Sequence, residues 1–195
     1  MIESVSNKQV RRVAQLAGKA KARREEGLFV AEGLRMCREC PPDQVEILYV
    51  TPEFAAREEN RRWLASYRYE MVSEAVMRAM ADTKTPQGVL GLVRQPSWSL
   101  ADVLRGESPL ILVLETIQDP GNLGTMLRAG EGAGVTGLVM NRETADIFSP
   151  KVIRSTMGSV LRVPFVYADD LGEACRELKA QGVRLFAAHL KAMHN

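Results

Sequence analysis

The sequence PLILVLETIQDPGNLGTMLR, residues 109–128, is the stretch that decides the fold. Its first part, residues 109–117, is a near-continuous apolar run, which is typical of a strand buried on both faces of a parallel sheet. A polar, glycine-containing turn follows, and residues from about 122 to 132 then favour a helix. Because loops at the carboxyl edge of a parallel sheet are exposed on a rigid scaffold, this turn is the expected place for a functional site.

The chain after this turn continues to alternate strands and helices. Further strands are expected at residues 135–140, 161–166 and 183–190. One helix is expected to begin at Ser149, with Pro150 in its first position, and to close at Gly158. Another is expected to begin at Asp169 or Asp170 and to end at Gly182. This alternation predicts an α/β domain over residues 109–195 with a parallel sheet.

Residues 1–95 predict a smaller α/β domain. Ser6 or Asn7 can cap a first helix whose apolar residues recur at helical spacing, and Gly27 ends that helix. Short strands are then expected at 28–31, 45–50, 69–72 and 89–93, and helices near 33–40, 52–66 and 73–81. Residues 96–108 contain Pro, Ser and Gly and are expected to form a linker with one helical turn.

Positive charge is concentrated at the amino terminus. The whole chain has a net charge of only +2, but residues 1–30 carry seven Lys or Arg against three acidic residues. Such a cluster can neutralise the phosphates of a nucleic acid, although a solvated helix face is an equal alternative. The candidate RNA-binding residues in this segment are Lys8, Arg11, Arg12, Lys21, Arg23 and Arg24.

Two sequence blocks resemble the SpoU/TrmH family of RNA 2'-O-ribose methyltransferases. The first is D-P-x-N-x-G-x-x-x-R, which ends at Arg128, and the second is S-P-K-x-x-R-x-x-x-G over residues 149–158. Residues 1–95, with FVAEG at 29–33 and TPQG at 85–88, resemble the substrate-binding domain that many members carry. That domain is related to small ribosomal RNA-binding proteins. The resemblance implies RNA as the partner, large ribosomal RNA rather than tRNA, and S-adenosylmethionine as the methyl donor.

The resemblance implies that Asn122 and Arg128 are the catalytic residues. Arg128 would help the ribose 2'-hydroxyl to lose its proton, either as a base or as a charged stabiliser. We favour the charged form, because lowering the pKa of an arginine from about 12.5 to about 7 costs roughly 7 kcal/mol. A cap at Asn122 or at Thr125 would place Arg128 near the positive end of the helix dipole, where binding of an RNA phosphate is favourable. The alternative is an ordinary ion pair with Glu131 or Glu115.

The second block supplies further RNA-binding candidates. Lys151 and Arg154 are three residues apart and share a helix face, with Ser155 next to Arg154. The resemblance implies a phosphate contact, and a solvated basic face is the alternative. The loop residues expected to support the site are Glu115, Asp119 and Gly124.

Family members continue with a G-x-E-x-x-G segment and an S-L-N-V-S segment, neither of which occurs here. In the family these segments form a deep trefoil knot of the SPOUT type and the S-adenosylmethionine pocket. We therefore expect a carboxyl-truncated chain whose cofactor-binding residues are unknown and which is inactive by itself. The full-length protein is expected to be a homodimer.

Composition narrows the class of protein further. With 46% hydrophobic and 26% charged residues, the chain is typical of a globular protein, and it has neither a membrane-length apolar run nor a secretory signal. Three cysteines fit a reducing compartment and predict a cytoplasmic protein. No metal site is expected, because His189, His194 and the C-x-x-C at Cys37 and Cys40 lack partner ligands.

Two other functions remain as alternatives. The first is a non-catalytic RNA-binding protein, in which both domains grip RNA without modifying it. The second is a nucleotide-binding enzyme, which is disfavoured because the turn contains neither G-x-G-x-x-G nor G-x-x-x-x-G-K-[ST].

Overall fold

The structure, a computed structural model, describes residues 1–188. The first half contains α1 Lys8–Gly18, α2 Ala20–Glu26, β1 Leu28–Glu32, α3 Leu34–Glu39, β2 Val45–Val50, α4 Pro52–Ala56, α5 Glu58–Leu64, β3 Tyr69–Met71, α6 Glu74–Met80 and β4 Val89–Arg94. The second half contains α7 Leu100–Val103, β5 Ile111–Leu114, α8 Pro120–Gly132, β6 Gly137–Asn141, α9 Pro150–Thr156, a 3-10 helix Ser159–Leu161, β7 Phe165–Ala168 and α10 Leu171–Ala180.

The first half is built on a four-stranded mixed sheet. Its strand order is β1-β4-β2-β3, in which β4 is antiparallel to both of its neighbours and β2 is parallel to β3. All five residues of β1 are buried. Leu28 and Val30 pack into a cluster with α1 and α6, whereas Phe29 and Ala31 pack into a cluster shared with the second half. Because successive side chains of a strand point to opposite faces, β1 contributes to two apolar cores.

The second half is built on a three-stranded sheet in the order β5-β6-β7, with every pair parallel. Leu138 and Met140 of β6 pack with α8 and α9, whereas Val139 packs with α7 and α10. The expectation of an α/β fold with a parallel sheet is confirmed. Residues 1–188 do not test the knot implied by the resemblance, which stays a prediction.

The strand that opens the second half differs from expectation. We expected residues 109–117 to form a strand buried on both faces, but β5 spans only Ile111–Leu114, and among its residues only Leu114 is buried. The physical reason is its cover: in the described sheet β5 pairs with β6 alone, and the edge strand β1, which also has one partner strand but is fully buried, differs in that α9 packs on it. Apolar composition therefore predicted the strand but not its neighbours.

Two helices expected to be continuous are interrupted. The first breaks at Lys19, which has an extended backbone, and ends as expected at Gly27, which is left-handed at φ 63°. Asn7 caps it by accepting from the Gln9 amide. The helix expected over 52–66 breaks at Arg57, where the buried Asn60 side chain donates to the freed carbonyl of Phe54 at 3.0 Å.

Two expected strands near the end are also wrong. Residues 159–161 form a 3-10 helix, and β7 runs over Phe165–Ala168 instead of 161–166. The left-handed pair Met157 and Gly158, at φ 51° and 91°, turns the chain directly into that 3-10 helix and so delays the strand. Residues 183–188 are not a strand, and residues 189–190 of that prediction lie outside the described range, as do His189 and His194. Asp170 caps α10 as expected.

Candidate functional site

The loop after β5 is tied to the loop after β6 by hydrogen bonds. Thr116 has a left-handed backbone at φ 56°, and its amide donates to Asn141 Oδ1 at 2.8 Å. The Asn141 Nδ2 group donates to the Thr116 hydroxyl at 2.9 Å, and the Thr144 hydroxyl donates to Asn141 Oδ1 at 2.7 Å. Such a strained residue persists only where its surroundings hold it, and strain of this kind concentrates at functional sites. Sequence reasoning missed Asn141, although its position directly at the end of a strand was a usable signal.

The helix that carries Arg128 begins earlier than expected. Asp119 is its cap and accepts from the Asn122 amide at 2.7 Å, with Pro120 in the first position. This hydrogen bond, followed by the charge of Lys151, lowers the pKa of Asp119 below its ordinary value. Arg128 is consequently the ninth residue of α8, in its third turn. The prediction that Arg128 lies near the positive end of the helix dipole is therefore wrong. The dipole effect fades beyond the first turn, and Arg128 lies in the third.

Gly124 brings α8 into close contact with α9. A Cβ atom at position 124 would lie 2.5 Å from the Ser155 Cβ and 2.8 Å from the Val152 carbonyl oxygen. Only glycine permits this separation of the two helices. The resemblance-based expectation that Gly124 supports the site thus has a concrete physical basis, which is the helix spacing.

Arg128 lies on the side of α8 that runs alongside α9. Gly121 comes close to Lys151, Gly124 contacts Ser155, and Glu131 accepts from the Ser159 hydroxyl at 2.6 Å. Arg128 falls between Gly124 and Glu131 in the same helical row. It is exposed, and within residues 1–188 it forms no ion pair.

The carboxylates considered as partners of Arg128 do not hold it. Glu131 is bound instead by Arg162, whose Nε lies 2.6 Å from Glu131 Oε1. Glu115 is exposed in the loop after β5 and makes no ion pair in the described part of the chain. The guanidinium of Arg128 is therefore available to an external anion.

Asn122 is exposed but does not sit beside Arg128. The two residues are six positions apart on one helix, which separates them by about 9 Å along the axis and puts them on different sides. The backbone of Asn122 completes the cap, and its side chain has no hydrogen bond among residues 1–188. The helix therefore leaves Asn122 free to contact a substrate rather than to orient Arg128.

The three candidate RNA-binding residues on α9 face two different parts of the molecule. Lys151 Nζ lies 3.5 Å from Asp119 Oδ2, with both side chains at least half exposed. The Ser155 hydroxyl donates to the Lys151 carbonyl oxygen at 2.9 Å, so Lys151 and Ser155 both belong to the α8 side. Arg154 instead faces the first half, where its Nη2 lies 2.7 Å from Asp82 Oδ2. Its expected phosphate contact would have to compete with that carboxylate.

Two of the amino-terminal candidates have structural partners. Arg23 is only 4% exposed, so the expectation that it contacts RNA is wrong. Its Nη1 group donates to the carbonyls of Leu16 and Ala17 at 2.6 and 2.9 Å, and its Nη2 lies 2.6 Å from Asp146 Oδ2. Arg23 thereby satisfies the end of α1 and links the two halves. A charge count could not distinguish this role from phosphate binding.

Arg12 is held by two carboxylates. Its Nη1 lies 2.5 Å from Glu46 Oε1 and its Nε 2.6 Å from Glu26 Oε2, and the hydrogen bond that it donates to Glu46 raises the pKa of Arg12 further above the ordinary value. It is therefore already neutralised. The remaining candidates are exposed to solvent and comprise Lys8, Arg11, Lys21 and Arg24, of which Lys21 has only a long contact to Glu25 at 3.7 Å.

The described residues do not by themselves enclose a nucleoside cofactor at the carboxyl edge of the second sheet. Glu115 and Thr116 are exposed there, and the polar groups of Asn141 are used by Thr116 and Thr144. No group of three metal-ligating side chains occurs within residues 1–188. No helix in that range is long and apolar enough to cross a membrane.

These features define an α/β protein in which the helix that carries Arg128 packs beside the basic helix α9, next to a parallel sheet. The model of the SpoU rRNA Methylase family matches residues 109–195, and that of the MRM3-like substrate binding domain matches residues 7–91. The chain belongs to the SpoU family of RNA 2'-O-methyltransferases.

Individual relatives agree with this membership. The 23S rRNA (guanosine(2553)-2'-O)-methyltransferase RlmP of Bacillus subtilis (strain 168) is 32% identical over 192 residues, which cover 97% of this chain and 73% of RlmP. An AdoMet-bound rRNA methyltransferase from Sinorhizobium meliloti matches with a TM-score of 0.76 and 29% identity, over 92% of this chain and 68% of that one. AviRb from Streptomyces viridochromogenes, at 23% identity, a TM-score of 0.78 and coverage of 90% and 68%, shares the fold.

Proposed function

We propose that the protein methylates a ribose 2'-hydroxyl of a large ribosomal RNA, with Arg128 as the residue that acts on the reacting ribose. The observation that carries this proposal is the state of Arg128: it is exposed beside α9, and no carboxylate in residues 1–188 neutralises it. Most other arginines discussed above have an acidic partner. An unneutralised guanidinium next to a second basic helix suits an RNA phosphate.

Arg128 acts in its charged form. The guanidinium binds the phosphate next to the target ribose and stabilises the negative charge that develops on the 2'-oxygen. The proton of the hydroxyl passes to solvent water, and the new oxygen–methyl bond forms as the sulfur–methyl bond of the donor breaks. Fixing phosphate and ribose together also sets the direction of attack. Asn122, two turns away on the exposed side of α8, contacts the ribose or its neighbour. S-adenosylmethionine supplies the methyl group in this family.

The remaining basic groups hold the RNA. Lys151 and Ser155 continue the surface from Arg128 along α9, while Lys8, Arg11, Lys21 and Arg24 provide phosphate contacts on the first half. Arg154 joins them only where RNA displaces Asp82. The proposal includes a substrate-binding domain at residues 1–95, a linker at 96–108, a catalytic domain from 109 onward, a homodimer and a cytoplasmic location.

Replacing Arg128 tests the proposal. We expect Arg128→Ala, placed in the intact gene, to lower ribose methylation by about 10²–10³-fold, the range for loss of one transition-state donor. Ribose-methylation mapping of total RNA from deletion and complemented cells measures the effect and identifies the nucleotide. Arg128→Lys is expected to restore little, because a lysine lacks the planar fork.

The matched control is Arg176→Ala on α10, which removes an exposed arginine far from the site. Near-normal methylation with Arg128→Ala would refute the proposal. A deletion that changes no ribose methylation, in a protein that still binds RNA, would instead support the non-catalytic RNA-binding function.

A further inference from the structure

A cavity of about 380 Å³ lies between the two halves, on the side of α9 that faces away from α8. Gly33 and Gln87 line it from the first half, and Arg154 and Met157 line it from the second. Its volume falls in the range of about 300–1,000 Å³ that is common for small-molecule sites. The site already described uses the opposite side of α9.

The polar groups that remain unused around this cavity are donors. Gln87 Oε1 accepts from the Leu34 amide at 3.1 Å, which leaves the Nε2 group free to donate. Arg35 is exposed and forms no ion pair in residues 1–188. The Nη1 group of Arg154 is buried and has no hydrogen-bond partner. An orphaned buried donor of this kind points to an acceptor supplied from outside the chain.

The Glu32 carboxylate, which lines the cavity, already accepts hydrogen bonds from within the protein. Glu32 accepts from the amides of Asp82 and Thr83, at 2.9 and 3.2 Å, and from the Thr83 hydroxyl. Its Oε2 atom lies 3.8 Å from Arg154 Nη1, which is too far for a hydrogen bond. Glu32 thus uses its acceptors on the 82–83 loop and stays within ion-pair distance of Arg154, whose Nη2 group is held by Asp82. The Nη1 group of Arg154 and the Nε2 group of Gln87 are left without a hydrogen-bond acceptor among the described residues.

Backbone geometry keeps the cavity open. Gly33 and Met157 have φ values of +88° and 51°, both in the left-handed region. A Cβ atom at Gly33 would come within 3.1 Å of Gln87 Oε1 and disturb the hydrogen bond that fixes the Gln87 amide. Met157 is the left-handed residue that ends α9, and the end of this helix therefore lines the cavity.

We propose that this cavity binds one unpaired nucleotide of the substrate RNA, with the base inside and its phosphate on Arg35. The assignment rests on the proposed function, because that function makes RNA the ligand. Unstacked bases are recognised by hydrogen bonds to their edges and by stacking on guanidinium planes, and Arg154 and Gln87 offer donors for base acceptors. The thioethers of Met36 and Met157 contact the apolar faces of the base.

The position of the cavity gives the RNA a continuous route. Arg154 reaches the cavity from one side of α9, and Lys151 and Ser155 lie on the side that faces α8 and Arg128. A single strand that crosses α9 would meet both sites within a few nucleotides. The nucleotide in the cavity would then fix which ribose arrives at Arg128, and the cavity becomes a specificity site.

Binding measurements without methyl transfer test the assignment. Fluorescence anisotropy with a labelled single-stranded RNA hexanucleotide, and with the same sequence in a duplex, gives two dissociation constants at one fixed salt concentration. We expect the protein to prefer the single strand. Arg35→Glu and the cavity-filling Thr85→Trp should each weaken single-strand binding by about tenfold, the scale of one lost base contact. Thermal unfolding checks that each variant is folded.

The control is Arg38→Glu, which reverses a charge one turn further along α3, outside the cavity lining. Equal weakening by Arg38→Glu would reduce the effect to general electrostatics and overturn the assignment. Unchanged binding by Arg35→Glu, equal affinity for duplex, or no RNA binding by the parent protein would overturn it too. If Thr85→Trp does not fold, Arg35→Glu decides, because Arg35 is exposed. If Arg35→Glu weakens RNA binding while Arg128→Ala leaves methylation unaltered, the cavity assignment stands and the catalytic proposal is refuted.

Discussion

The two sheets of this protein are enclosed to different degrees. In the four-stranded sheet, β1 is buried along its whole length and contacts a separate apolar cluster on each face. In the three-stranded sheet, β5 is half-buried and only its last residue is covered. The first half is therefore the more closed of the two, and the second half, which contains the candidate site, is the more open.

The two halves are nonetheless joined by specific contacts. The rings of Phe29 and Phe148 stack at 5.4 Å, and Arg23 of the first half lies 2.6 Å from Asp146 of the second. Arg162 adds a contact to Glu39 at 2.5 Å. These contacts join the two halves into one packed unit. Breaking them one at a time shows how much the open half depends on the closed one.

Arg23→Ala should have the largest effect. The substitution leaves the partly buried carboxylate of Asp146 unpaired and removes the donors that satisfy the end of α1. Breaking a buried ion pair from one side costs about 3–5 kcal/mol. Denaturant unfolding should show this loss in the free energy of unfolding.

The control for Arg23→Ala is Arg24→Ala, which removes an exposed arginine from the same helix. We expect it to change stability by less than about 0.5 kcal/mol. The double variant Arg23→Met with Asp146→Leu should recover much of the loss, because both charges are then absent. Equal stability of the two single variants would show that the halves are not coupled through this pair.

Gly124→Ala should have an intermediate effect, confined to the open half. The new methyl group would meet the Ser155 Cβ and the Val152 carbonyl oxygen, so α8 and α9 must separate. Overpacking of this kind costs about 1–3 kcal/mol, partly offset by the roughly 1 kcal/mol gain of alanine over glycine in a helix. Both thermal stability and methylation should fall, because the separation moves Arg128 relative to Lys151.

Gly132→Ala is the matched control for this helix, since a Cβ at Gly132 meets nothing within 4 Å. It should leave methylation unchanged and raise stability slightly. A Gly124→Ala protein as stable and active as the parent would mean that close helix spacing does not set the site.

Much of this comparison was predictable from local sequence. Strand β2 and the caps at Asn7 and Asp170 follow from apolar runs and short polar residues, which act locally. The half-buried state of β5 was not predictable, because apolar composition does not reveal which elements cover a strand at the edge of a sheet. Its neighbours are set by tertiary structure.

The site was predictable in its residues but not in its partners. Resemblance located Arg128 and Gly124, yet the structural role of Arg23 depends on Asp146, which is 123 residues away in sequence. Basic residues look alike in a composition count whether they face water or carboxylates. The cap at Asp119 was missed because Asn122 and Thr125 are equally good capping types, and only the hydrogen bond to the Asn122 amide decides.

Glu131→Gln should have the smallest effect and concerns an ion pair within the open half, whose Arg162 also contacts Glu39 of the closed half. The hydrogen bond from Arg162, followed by that from Ser159, lowers the pKa of Glu131 below its ordinary value of 4.5. A carboxyl with a lowered folded pKa stabilises the protein fully above its unfolded pKa, and this contribution is lost as the pH falls through the folded pKa. The window therefore begins near pH 4.5 and extends below it.

The parent protein should thus lose free energy of unfolding more steeply below that pH than Glu131→Gln does. At pH 7 the two should differ by less than about 1 kcal/mol, because both side chains of the ion pair are partly exposed and solvent screens them. Denaturant unfolding from pH 7 to pH 3 measures both quantities, with Glu177→Gln, an exposed change on α10, as the control. Parallel pH profiles for the parent and Glu131→Gln would contradict the ion pair. A loss of several kcal/mol at pH 7 would mean that this ion pair, whose Arg162 also contacts Glu39 of the closed half, contributes to stability on the scale of the Arg23 pair.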